Sequence, residues 1–67
     1  MNNYRINYEF RPLSNMRTSG LMSKELAPEM YDRLKADRLC TWAQLLCRDS
    51  DPEYYGEEFI VSEFCRD

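Results

Sequence analysis

The chain has 67 residues and a formal net charge of −3, and 43% of its residues are hydrophobic. This length predicts one small domain over residues 1–67 that buries about 60% of the surface of its unfolded chain, and the composition is not that of a disordered protein. The sequence contains neither the apolar segment of a signal peptide nor a long apolar run, which predicts a cytoplasmic protein that is not inserted in a membrane.

The charges are distributed unevenly along the chain. Residues 49–67 carry seven carboxylates and one base, a net charge of −6, whereas residues 1–48 carry eight bases and five carboxylates, a net charge of +3. Such asymmetry indicates a charged partner. A solvated acidic loop beside an edge strand, kept polar to prevent aggregation, would give the same pattern.

Residues 4–11, with the sequence YRINYEFR, alternate between apolar and polar side chains. This period predicts a half-buried strand with Ile6 and Phe10 on its apolar face. Pro12 ends the strand because proline has no amide donor.

A polar connection follows through about Ser23. It contains three larger apolar residues, Met16, Leu21 and Met22. We expect them to hold the connection against the core, although in an exposed position they would form an adaptable contact patch.

A helix is predicted to begin at Ala27 or Pro28, because proline is best tolerated in the first helical turn. Ser23 as the N-cap would place Pro28 too deep in the helix. The predicted apolar stripe is Ala27, Met30, Tyr31 and Leu34. The residues predicted to face water are Arg33, Lys35, Asp37 and Arg38.

Residues 39–48, LCTWAQLLCR, permit two interpretations. Thr41 and Gln44 have the spacing of a capping box, and Trp42 would share a face with the two leucines that follow, which favours a second short helix. An apolar run of this length is also typical of a central strand buried on both faces. We favour the helix, although a strand would complete a three-stranded sheet.

Residues 49–58 are predicted to form an acidic loop, with turns at Asp51–Pro52 and Gly56. Residues 57–65 are rich in Phe, Ile and Val and predict a strand paired antiparallel with residues 4–11. Alternation would place Phe59, Val61 and Glu63 on one face and Ile60, Ser62 and Phe64 on the other. A strand apolar on both faces either has cover on both or commits one face to another chain.

The residue types argue against catalysis and against a bound metal. The chain has no histidine, which removes the commonest acid–base arrangements, so we expect no enzyme and no cofactor. The three cysteines contain no C-x-x-C pair and are expected to be reduced. Asp49, Asp51 and Glu53 have the spacing of a calcium loop, but Tyr54 and Ile60 stand where such a loop needs glycine and glutamate.

The expected fold is a small single α+β domain with a two- or three-stranded antiparallel sheet and one or two helices on one face. The expected function is that of a non-catalytic acidic inhibitor or modulator, of the phage or mobile-element type, that binds a basic nucleic-acid-handling protein by imitating nucleic acid. The predicted partner-binding residues are Asp49, Asp51, Glu53, Tyr54, Tyr55, Glu57, Glu58 and Glu63.

Two alternatives belong to other functional classes. One is a dimeric transcriptional regulator that binds nucleic acid through the basic helix and first strand, although the net charge of −3 opposes direct binding to phosphates. The other is a structural subunit or assembly factor that pairs with another chain through its terminal strand. A homodimer is compatible with the small size of the domain.

Overall fold

The computed structural model describes residues 2–12, 15–48 and 57–66. Five elements follow in chain order: β1 (Tyr4–Phe10), β2 (Arg17–Thr18), α1 (Leu26–Ala36), β3 (Cys40–Arg48) and β4 (Glu58–Cys65). The strands form one antiparallel sheet in the order β2-β1-β3-β4, and α1 packs on one of its faces. The α+β class is confirmed, but the sheet has four strands where two or three were predicted.

Strand β1 has nearly the predicted bounds, and Ile6 on its apolar face is buried in the core. Strand β2 was not predicted, because its two residues, Arg17 and Thr18, lie within the polar connection and carry no periodic pattern. Of the three apolar residues of that connection, only Met22 is buried, and it exchanges two backbone hydrogen bonds with Tyr4. Met16 and Leu21 are exposed, so the prediction that they pack against the core is wrong.

Helix α1 begins slightly before the predicted start, at Leu26. The hydroxyl of Ser23 accepts a hydrogen bond from the Leu26 amide at 3.1 Å, so Ser23 does satisfy a donor at the helix start, contrary to our expectation. Pro28 remains in the first turn, where no intrahelical donor is lost.

The predicted stripe of α1 is largely confirmed. Ala27 and Tyr31 are buried and Leu34 packs against the core, while Met30 is partly exposed. The four residues predicted to face water are all exposed: Arg33, Lys35, Asp37 and Arg38.

The helix predicted within residues 39–48 is wrong, because Cys40–Arg48 forms the central strand β3. Pairing with β1 on one side and β4 on the other satisfies its backbone groups along its whole length. Thr41 does not cap a helix and instead donates its hydroxyl to the Glu9 carbonyl. Ala43 and Leu45 point into the core, whereas Leu46 is buried on the opposite face, as in a strand covered on both sides.

Strand β4 has nearly the predicted bounds, but its predicted pairing with β1 is wrong because β3 lies between them. Arg66 fastens the end of β4 to the end of α1. Its guanidinium donates to the carbonyls of Lys35, Asp37 and Cys40, and it lies over the Phe64 ring at 5.5 Å. One side chain thus satisfies carbonyls at the helix C-terminus that have no partner within the helix.

Replacing Arg66 should therefore destabilise the fold. We expect Arg66→Ala to lower the free energy of unfolding by about 2 kcal/mol, because three carbonyls lose a charged donor. Urea denaturation followed by Trp42 fluorescence measures this change. Arg38→Ala removes the same charge from an exposed position and should change stability by less than about 0.5 kcal/mol; equal stability of both variants would contradict the role of Arg66.

Candidate protein-interaction edge

The structure describes three of the eight predicted partner-binding residues, Glu57, Glu58 and Glu63. The other five lie outside the described residues: Asp49, Asp51, Glu53, Tyr54 and Tyr55. Most of the predicted acidic loop and the considered calcium ligands lie there too. Glu57 is exposed immediately before β4.

Glu58 forms a two-point ion pair with Arg5 across the sheet. The Nε and one terminal nitrogen of Arg5 donate to the two carboxylate oxygens of Glu58, and Arg5 also donates to the Thr18 hydroxyl at 3.0 Å. These hydrogen bonds from Arg5 lower the pKa of the Glu58 carboxyl, against the smaller opposing effect of burial. Because Arg5 offsets its charge, Glu58 contributes less to an acidic surface than its position in the sequence indicates.

Glu63 keeps a different environment. One of its carboxylate oxygens accepts hydrogen bonds from Trp42 Nε1 at 2.8 Å and from Gln44 Nε2 at 3.4 Å. Both donors are neutral, and the part of the chain that the structure describes places no cation within ion-pair distance of this carboxylate. The Glu63 carboxylate is therefore exposed, and these two hydrogen bonds hold it in one orientation.

A β-bulge in β4 determines which side chains share a face. Leu45 pairs with Ser62 and Leu46 pairs with Ile60, so Val61 is an extra residue without a partner on β3. The bulge shifts the alternation by one residue. Ile60 consequently lies on the same face as Glu63, and Phe59 lies on the α1 face with Ser62 and Phe64, which corrects the strict alternation that we predicted.

The side chains around the bulge form an exposed apolar cluster. The exposed fractions are 51% for Phe59, 59% for Ile60 and 55% for Val61. Beyond the bulge, β4 packs normally: Ser62 donates to the Tyr31 hydroxyl at 3.1 Å and the ring of Phe64 meets that of Tyr31 edge to face. The large exposed apolar side chains of β4 are therefore confined to its first half.

The outer side of β4 also presents unpaired backbone groups. Arg66 donates its amide to the Thr41 carbonyl, while Cys65 pairs with Trp42. In an antiparallel ladder this pattern makes Cys65–Trp42 a pair without direct hydrogen bonds, so the amide and carbonyl of Cys65 point away from β3. By alternation those of Glu63 also point outward, and no strand among residues 2–12, 15–48 and 57–66 pairs with them.

We refer to Glu57, Phe59, Ile60, Val61, Glu63 and Cys65 as the β4 edge surface. It combines exposed apolar side chains, two carboxylates and unpaired backbone groups along one edge of the sheet. The apolar composition of β4 on both faces was the sequence signal for this surface. The bulge that places its side chains had no signal in the sequence.

The cysteines differ in environment. Cys40 is buried in the core, where burial raises the pKa of its thiol, whereas Cys47 is half-buried and Cys65 is exposed. All three are free thiols. We expected reduced cysteines to pack as small hydrophobic residues, and Cys40 does so, whereas the exposed Cys65 does not.

Comparison with known proteins gave no match to any family model, curated protein or solved structure. Within the described ranges, no three Cys, Asp or Glu side chains come together to hold a metal ion. The one helix of those ranges, α1, is too short to cross a membrane.

The Arg5–Glu58 pair should make stability depend on pH. Because the pKa of Glu58 is lower in the folded protein than its usual 4.5, the pair stabilises the fold above that value and loses its effect as pH falls through the folded pKa. We expect a loss of about 1 kcal/mol between about pH 6 and pH 3 that is absent in Glu58→Gln. Urea denaturation across this range measures it.

Glu57→Gln is the matched control, since it removes the adjacent exposed carboxylate. This variant should keep the pH dependence of the wild type. If Glu58→Gln showed the same dependence as Glu57→Gln, the ion pair would not be a source of acid sensitivity.

Proposed function

We propose that this chain is a non-catalytic domain that binds a partner protein carrying a basic surface. The observation that supports this most directly is the exposed run Phe59–Val61, which lies between the carboxylates of Glu57 and Glu63. Exposed apolar side chains along an edge strand, bordered by charge, are typical of a protein–protein interface.

The distribution of charge favours a basic partner. Residues 49–67 have a net charge of −6, and the carboxylate of Glu63 is not paired with any cation in the described ranges. A concentrated negative charge attracts a basic surface over several ångströms and accelerates association at low salt. Proteins that handle nucleic acid have such basic surfaces, and occupying one would inhibit or modulate the partner.

The geometry gives less support to direct binding of nucleic acid. Arg5 on β1 is neutralised by Glu58, and Arg66 is held by three backbone carbonyls. The remaining bases of α1 and its C-terminal end are interspersed with acids such as Asp32 and Asp37. These neutralised and interspersed bases give less support to the continuous basic patch that phosphate binding needs.

Removing charge from the acidic segment that precedes β4 in the sequence should weaken capture of the partner. We expect the triple variant Asp51→Asn, Glu53→Gln, Glu57→Gln to recover at least tenfold less of the partner from lysate than the wild type, because the basic surface loses its attraction. Glu58 is left unchanged so that Arg5 keeps its ion pair. Affinity capture at low and high salt, with quantitative mass spectrometry, measures the recovery.

The matched control neutralises three exposed carboxylates within residues 1–48, with Glu25→Gln, Glu29→Gln and Asp32→Asn. The control has the same net charge as the triple variant, so it separates local charge from total charge. Recovery that is equal for the two variants would refute an acidic binding surface next to β4.

A further inference from the structure

We infer that β4 binds its partner by strand addition: an extended segment rich in basic and apolar residues, supplied by another protein, pairs with the outer side of β4. This inference rests on the proposed function and specifies its mode of binding. The observation that carries it is the outward orientation of the Glu63 and Cys65 backbone groups beside the exposed apolar cluster.

The two edges of the sheet differ in whether their outward backbone groups are hydrogen-bonded. On the β1 side, β2 and the Met22 bridge occupy the outward backbone groups: Tyr4 exchanges hydrogen bonds with Met22, and the Ile6 carbonyl accepts from Ser19. On the β4 side, nothing in the described ranges does so. An unpaired strand of this kind is a ready template for a strand from another chain.

The bulge limits where the added strand can pair. At Val61 the backbone leaves the regular ladder, so a continuous pairing is available only on the C-terminal side of it, along Ser62–Arg66. In that region Glu63 and Cys65 present their amides and carbonyls outward. Phe59, on the α1 face, then lies at the end of the incoming strand and contacts its apolar side chains.

The negative charge of β4 indicates which kind of strand can pair with its outer edge. An antiparallel pair of two β4 strands along Ser62–Arg66 would bring the Glu63 carboxylates of the two copies onto the same face of neighbouring strands, and like charges there are destabilising. A segment that alternates basic and apolar residues instead places cations on the face of Glu63 and apolar side chains on the opposite face, the face of Phe59. The partner strand is therefore expected to come from a different, basic protein.

The test uses the full chain under reducing conditions and a short acetylated peptide of alternating lysine and valine. We expect saturable binding with a dissociation constant below about 1 mM, and slower hydrogen exchange of the Glu63 and Cys65 amides by NMR. The Phe64 amide is an internal control, because it points towards β3 and is protected without peptide. The same peptide N-methylated at every lysine and valine keeps the charge but has no backbone donor on either edge, and should not protect either amide.

Two variants test the apolar contribution. Phe59→Thr should weaken binding of the lysine–valine peptide about threefold to tenfold, because it removes apolar surface that the valines bury. Leu21→Thr changes a residue of similar exposure near the opposite edge of the sheet and should leave binding unchanged.

Three results would overturn the inference. Equal binding of the N-methylated peptide would show a contact made by charge and side chains without strand pairing, and would leave the proposed function intact. Absence of saturable binding by the lysine–valine peptide would exclude this partner chemistry. Protection of Glu63 and Cys65 without peptide, in a protein with the mass of a dimer, would identify a second copy as the occupant. The proposed function itself fails only if the triple variant captures as much partner as its control.

Discussion

The pairing of β3 with a strand on each side is the interaction on which the rest of the structure depends. It joins β1 and β4, which are not paired with each other, and it positions Ala43 and Leu45 under α1. The Arg5–Glu58 ion pair is a consequence of this order, because its two residues reach each other across β3. With a helix at residues 40–48, β4 could have paired only with β1, which is the arrangement that the sequence predicted.

The bulge in β4 converts a regular terminal strand into an asymmetric surface. Without the extra residue at Val61, Ile60 would lie on the face of Ser62 and Phe64, which packs against Tyr31, and Glu63 would lie on the face of Phe59. With it, the polar network of Trp42, Gln44 and Glu63 lies on one face together with Ile60. Bulges often place side chains in this way beside functional sites and also restrict uncontrolled pairing of an edge strand.

The sequence predicted those elements whose pattern is local. Alternation identified β1, the composition of residues 57–65 identified β4, and helical spacing with Pro28 identified α1. Strand β3 was not predicted because Thr41 and Gln44 have the spacing of a capping box, which favours a helix. The strand is stabilised by pairing with β1 and β4, which are distant in sequence, and this pairing outweighs the local preference. Two features of the candidate site, the bulge and the Arg5–Glu58 pair, depend on contacts between distant residues, so no window of sequence contained them.

The acidic residues in and next to β4 have two different roles, one within the fold and one at the surface. Glu58 is used within the fold, which leaves Glu57 and Glu63 to act outward among the described carboxylates of β4 and its start. Two solvent-exposed charges at the periphery of an interface contribute little to the binding free energy. They favour a positively charged partner and increase its association rate. Affinity must then come from burying Phe59, Ile60 and Val61 and from satisfying the outward backbone of β4. The acidic character of the chain is therefore better understood as the source of specificity than as the source of binding energy.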